Sequence, residues 1–200
     1  MPLQKEPSVS QVYHVEVKSS VKERFSLSDR LVRPIALTPI LSESEMRDIM
    51  ATILQQRGFQ ETAPNQWTAQ GNQGETIIYD LEKMEMQATL EQEKILQTDV
   101  QAKGSAYDKK SNAKENARQA LLLEEAKARD NLKREAETIQ RQLTQNLLDT
   151  EQERLHSAHQ ILQEVYAESL KRKARQLGEV MDIRESTSQG QYELVIRVSR

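Results

Sequence analysis

Residues 112–177 decide the fold, and their sequence is NAKENARQALLLEEAKARDNLKREAETIQRQLTQNLLDTEQERLHSAHQILQEVYAESLKRKARQL. This segment contains neither proline nor glycine. It is rich in alanine, leucine, glutamate, glutamine, lysine and arginine, which lose least on entering a helix. As one unbroken helix it would be about 100 Å long. We therefore expect a long helical element around which the rest of the chain is arranged.

Apolar residues recur every three or four positions along this segment. The stripe starts at Ala117, weakens at Thr150 and Arg154, and resumes at Leu155. Its 4-4-3 spacing is closer to an eleven-residue than to a seven-residue repeat, which predicts a nearly straight helix. Such a stripe needs a surface to pack on. We therefore predict that it is an interaction seam that packs against the helix at 155–177, residues 88–102, another molecule, or several of these. The seam consists of Leu121, Leu132, Ile139, Leu143, Leu147, Leu155 and Leu162.

The flanking segments carry strand patterns and one short helix. Odd-numbered positions from Tyr13 to Leu27 are mostly apolar and predict a strand with one buried face. A capping box of Ser42 and Glu45 starts a helix at 43–57, which Gly58 ends. Short strands follow on either side of a turn at 71–74, and residues 88–102 are predicted to be helical. After the long helix, segments 180–185 and 191–198 form a hairpin.

These elements predict an α+β fold: a small antiparallel sheet with one packing helix and a long helical insertion. We expect residues 1–87 to form the N-terminal part of the sheet domain, 88–178 the insertion, and 179–200 a hairpin that completes the same sheet. An insertion that rejoins its own sheet must double back, so it should be a coiled-coil hairpin or a small bundle. The available breaks are 103–112, 130–131 and 149–150.

Composition excludes several classes of protein. The net charge of −3 does not favour nucleic acid, and the absence of cysteine excludes disulfides and thiolate metal sites. No apolar run is long enough to span a membrane. We expect a cytoplasmic protein that has no cofactor and does not bind membranes or nucleic acid.

Three short segments resemble a known family. They are YHVEVKS at 13–19, ILQQRGF at 53–59 and GQYELVIRV at 190–198. In this order they resemble small uncharacterised proteins of bacteria and plastids that are encoded near FtsH-like AAA+ ATPases. The usual central Gly-Tyr segments of that family are missing here, and the long helical segment is extra. The resemblance implies an accessory partner of an ATPase and no defined site.

Two clusters could carry chemistry. Glu153 and His156 have the Glu-x-x-His spacing of di-iron bundles, although the chain has no second such motif. Lys171–Arg175 is the densest basic cluster, and cations at a helix C-terminus also offset the helix dipole. We therefore expect a non-catalytic interaction protein whose helical part engages a protein partner, either an AAA+ ATPase or a second copy. The alternative is a metal-binding bundle or enzyme that uses Glu153 and His156.

Overall fold

The computed structural model describes residues 12–107, 109–188 and 191–199, and it has an α+β architecture. The elements in chain order are β1 (Tyr13–Pro34), α1 (Glu43–Gln56), β2 (Gln60–Ala63), β3 (Gln66–Gln70), β4 (Thr76–Asp80), β5 (Glu85–Ala106), α2 (Lys110–Asp149), α3 (Glu151–Leu177), β6 (Glu179–Ser188) and β7 (Gln191–Ser199). Five strands form one antiparallel sheet in the order β1-β5-β4-β3-β2, and β6 pairs with β7 in a second sheet. The predicted class, α+β with a long helical element, is confirmed.

The long helix bends but does not double back. Only Thr150 separates α2 from α3, and the two helices together span 68 residues. Backbone hydrogen bonds continue across the junction, from Thr150 N to Asn146 O at 3.3 Å and from Arg154 N to Thr150 O at 3.2 Å. The Thr150 hydroxyl donates to Asn146 O at 3.0 Å, a side-chain bond that often bends helices. The break at 149–150 is therefore a bend, and the predicted helical hairpin is wrong.

The inward face of this helix repeats every eleven residues. Ala117, Ala128, Ile139 and Thr150 form one buried or partly buried series. Leu121, Leu132, Leu143 and Arg154 form the other. The predicted weakening of the stripe at Thr150 and Arg154 is thus wrong, because both residues are buried in phase with the leucines.

The chain forms two compact units. The first combines the chain up to Ser28 with Glu91–Gln142, and the second combines Asp29–Leu90 with Leu143–Arg200. None of the helices in the described part of the chain has both the length and the apolarity needed to cross a bilayer.

In the first unit, long strand segments of β1 and β5 pack against α2. Leu132 lies in a cluster with buried Val21 and Ala128, against which Phe25, Leu96 and Val100 also pack. Residues 88–102 are therefore strand, and the predicted helix there is wrong. Glutamate, glutamine and lysine favour helix in isolation, but pairing with β1 and burial under α2 override that preference. The expected contact between the stripe and residues 88–102 is confirmed at Leu132.

The closest approach in the first unit is at Gly104 of β5. A Cβ at this position would overlap the main-chain oxygen of Ala113 and the main-chain nitrogen of Ala117. Both alanines are fully buried, so the helix backbone lies directly on the strand.

Gly104→Ala should destabilise the first unit by about 1–3 kcal/mol, because the added methyl group has to displace helix backbone rather than a flexible side chain. Urea unfolding followed by far-UV circular dichroism measures the loss. Ser105→Ala is the matched control, since Ser105 is the next residue and is exposed. Equal unfolding midpoints for the two variants would contradict the close packing at Gly104.

The second unit has its core between α1, α3 and the short strands. The largest buried side chains of this core are Met50, Leu54, Tyr79, Leu81, Ile161 and Val165. The ring of Phe59 meets that of Tyr79 edge-on, with centroids 5.2 Å apart. The capping box of Ser42 and Glu45 is confirmed, and so is the left-handed Gly58 (φ 88°). Met46, Met50, Met84 and Met86 lie in or against this core.

The C-terminal hairpin does not join the five-stranded sheet in the described residues. The prediction that the N- and C-terminal segments share one sheet is therefore wrong. Strands β6 and β7 pair with each other from Glu179↔Ser199 to Ser188↔Gln191, and both contact α3. Helix α3 is the packing partner of the hairpin in place of a neighbouring strand, and Leu194, Ile196 and Val198 are partly buried, whereas Met181, Ile183 and Val195 are exposed. A side chain on Gly178 would overlap Ser199 O, so the hairpin closes tightly on itself.

A buried ion pair joins the helix bend to the turn at 71–74. Arg154 Nη1 lies 3.7 Å from Glu75 Oε1, and both side chains are 4% exposed. The guanidinium also donates to Leu147 O and to the Thr150 hydroxyl. The other oxygen of Glu75 accepts the Gln73 main-chain N–H at 2.9 Å. Arg154 therefore supplies hydrogen-bond donors to the buried oxygens at the bend, and the Glu75 carboxylate balances its positive charge.

Candidate interaction groove

A groove of about 930 Å³ opens in the second unit between α1, α3 and the C-terminal hairpin. Its lining residues are Ile49, Thr52, Ile53, Gln56, Arg57, Gln160, Gln163, Glu164, Ala167, Glu168, Lys171, Arg172, Arg175, Glu185, Thr187 and Tyr192. The floor residues Ile49, Ile53 and Ala167 are buried. Most of the other lining residues are polar or charged. The groove therefore combines a small apolar floor with a polar rim.

Two ion-pair systems hold the rim in shape. Arg57 donates to both oxygens of Glu164, at 2.6 and 3.2 Å, in the fork geometry that gives arginine pairs their specificity. Lys171 lies 2.8 Å from Glu168 Oε1 and 2.6 Å from Glu185 Oε1, so it links α3 to β6. These contacts fix side chains that would otherwise be mobile, so the rim is organised in advance of any ligand.

The second ion-pair system shifts the pKa values of Lys171 and Glu185. Hydrogen bonds to Glu168 and Glu185 hold the pKa of Lys171 above its usual range. The hydrogen bond from Lys171, with a second from the Tyr192 hydroxyl at 2.9 Å, lowers the pKa of Glu185. A lysine with a raised pKa stays protonated at neutral pH and cannot act as a general base.

The residues singled out from sequence have different positions. Leu132, Leu143 and Leu147 of the seam are buried within the chain, and Leu121, Ile139, Leu155 and Leu162 are partly buried. That the seam binds a partner stays a prediction. Three members of the basic cluster 171–175, namely Lys171, Arg172 and Arg175, line the groove.

Glu153 and His156 do not form a metal site in the described residues. Both are exposed on α3, and the His156 ring lies 3.0 Å from the Gln160 side-chain amide. In the residues that the structure describes, no group of three or more histidine or carboxylate side chains could hold a metal ion. The geometry therefore gives the metal-binding alternative no support.

Sequence reasoning missed most of the groove. Arg57 and Glu164 are 107 residues apart, and Glu185 comes from a third element. No sequence motif connects residues so far apart. Only the basic cluster on α3 could be recognised in the sequence as a candidate part of the groove.

Comparison with known proteins yields one match. No curated protein matches the chain, and neither does any solved structure. The model of one family matches residues 9–199 and so includes the long helix as well as both sheets. This match confirms the resemblance to proteins encoded beside FtsH-like ATPases. Because the match covers nearly the whole chain, the chain belongs to the FtsH ternary system domain X5 family.

Proposed function

We propose that this chain is a non-catalytic accessory component of an FtsH-type AAA+ system and that it binds a protein partner through the groove. The observation that carries the proposal is the organised rim, in which Arg57–Glu164 and Lys171–Glu185 fix exposed polar groups around an apolar floor. Family membership supports the class of partner, which is a component of the FtsH-type system.

The groove also gives a role to the long helix. The sequence alone led us to expect that the helical part engages the partner through its seam. In the structure much of that seam is turned inward, whereas the exposed side of α3 supplies one wall of the groove. We therefore assign partner binding to the groove side of α3. The chemistry of the rim agrees with this assignment, because Arg57 and Lys171 hold its carboxylates in place.

Binding of a purified FtsH-type ATPase to the immobilised chain tests the proposal directly. We expect saturable binding that weakens when Arg57→Gln removes the fork to Glu164, while Arg129→Gln on α2 serves as an exposed control. Light scattering of the chain alone tests the competing possibility of a second copy as partner. A monomeric chain that neither binds the ATPase nor changes its rate of ATP hydrolysis would contradict the accessory role.

A further inference from the structure

Two arginines on the rim of the groove lie outside its ion pairs. Glu164 is engaged by Arg57, and Glu168 and Glu185 are both engaged by Lys171. Arg172 and Arg175 line the same groove, are exposed, and form no ion pair within 4 Å in the part of the chain that is described. Arg172 acts on Glu45 of α1 only as one of the weaker causes of its lowered pKa, after the hydrogen bonds from Ser42. Four cationic and three carboxylate side chains line the groove, so the lining has one positive charge in excess.

The rest of the lining fits a peptide better than a small anion. The volume of about 930 Å³ is within the range of pockets that hold drug-sized ligands. Side-chain amides of Gln56, Gln160 and Gln163 line it and can both donate to and accept from a peptide. The apolar floor of Ile49, Ile53 and Ala167 offers contact to an aliphatic side chain.

We propose that the groove receives an acidic, amphipathic segment of a partner protein, with two of its carboxylates on Arg172 and Arg175. Residues three apart on a helix have Cβ atoms about 5–6 Å apart, so the two guanidinium groups can meet two carboxylates on one face of the segment. Arginine suits this contact because its planar fork matches a carboxylate. An aliphatic side chain of the segment covers the floor. This inference rests on the proposed function and specifies which kind of partner segment the groove binds.

Nucleic acid fits the groove less well. Among the described residues of the lining, Tyr192 is the only aromatic one, and its hydroxyl donates a hydrogen bond to Glu185. A strand of bases needs several such rings to stack on.

Fluorescence anisotropy with the full chain tests this proposal. The probe is a labelled peptide with glutamates three or four residues apart and leucines on the same face. The control probe has glutamine in place of every glutamate. We expect the acidic probe alone to bind. Arg172→Gln/Arg175→Gln should weaken its binding about a hundredfold, because each substitution removes a charge-assisted hydrogen bond, and each such loss costs about tenfold in affinity.

The matched control is Lys133→Gln/Lys173→Gln, which removes two exposed positive charges outside the groove. Its affinity for the acidic probe should change by no more than about threefold, since exposed charges that do not line the groove are screened by salt. Equal weakening in both double variants would overturn the proposal, and so would tight binding of a single-stranded RNA probe that needs the same two arginines. Trp67 fluorescence during thermal melting checks that both variants are folded.

The two proposals fail in different ways. If the FtsH-type ATPase binds the Arg172→Gln/Arg175→Gln chain as tightly as the unchanged chain, the acidic-segment inference is overturned and the accessory role stands. If the ATPase does not bind the unchanged chain, but the acidic probe binds and needs both arginines, the accessory role fails and the chemistry of the groove stands.

Discussion

Replacing Arg154 with methionine is expected to lower the free energy of unfolding by about 3–5 kcal/mol, the typical cost of removing one partner from a buried ion pair. The substitution leaves the Glu75 carboxylate buried without its countercharge. It also removes the donors to Leu147 O and to the Thr150 hydroxyl at the bend. Urea unfolding followed by Trp67 fluorescence measures the change, since Trp67 lies in the core of the same unit.

Two further variants make this test specific. Arg184→Met removes the same type of side chain from an exposed pair with Asp182 and should cost less than about 1 kcal/mol. Glu75→Leu/Arg154→Met removes both buried charges and should recover much of the stability lost in Arg154→Met, because no unpaired charge is left. If Arg154→Met and Arg184→Met have the same unfolding midpoint, the buried pair does not stabilise the bend.

Leu132→Asp should have an effect of similar size on the first unit. Leu132 is buried beside Val21 and Ala128, so the substitution removes a leucine from the core and leaves a carboxylate among apolar side chains. Loss of a buried leucine side chain alone costs about 2–5 kcal/mol. We expect the backbone amides of residues 13–28 and 91–106 to lose protection in hydrogen-exchange mass spectrometry.

Asn131→Asp is the control for this substitution. It creates the same aspartate one residue earlier, at an exposed position of α2. We expect it to leave the protection of both strand segments unchanged, since surface substitutions usually stay within about 0.5 kcal/mol. Equal loss of protection in the two variants would mean that α2 does not shield the strands through Leu132.

The parts of the fold that the sequence predicted are those with local signals. The alternation from Tyr13 needs only the strand itself, and it is confirmed in β1. The capping box at Ser42 depends on residues within one turn, and it is confirmed at the start of α1. The long helix could be predicted because its helix-forming residues continue without proline or glycine, and it is confirmed in α2 and α3. Each of these patterns can be recognised without knowing what lies beside it.

The wrong predictions all depend on distant neighbours. Strand β5 has the composition of a helix, and pairing with β1 and β4 together with burial under α2 makes it a strand. Arg154 interrupted the apolar stripe in sequence, but it is buried because Glu75 is in reach from another element. The groove likewise depends on Arg57 and Glu164, which are 107 residues apart. Only the basic cluster on α3 was visible, because Lys171 and Arg175 are close in sequence.

The eleven-residue repeat of the long helix also sets the sizes in which the first unit can be shortened or lengthened. Eleven helical residues advance about 16 Å, which corresponds to about five residues of a strand. Because five is odd, adding one repeat would bring the outer face of β1 and β5 under the helix. Two repeats with ten residues in each strand restore both faces together. The buried face of the helix and the buried faces of the strands therefore stay matched only when the helix changes by about 22 residues and each strand by about ten.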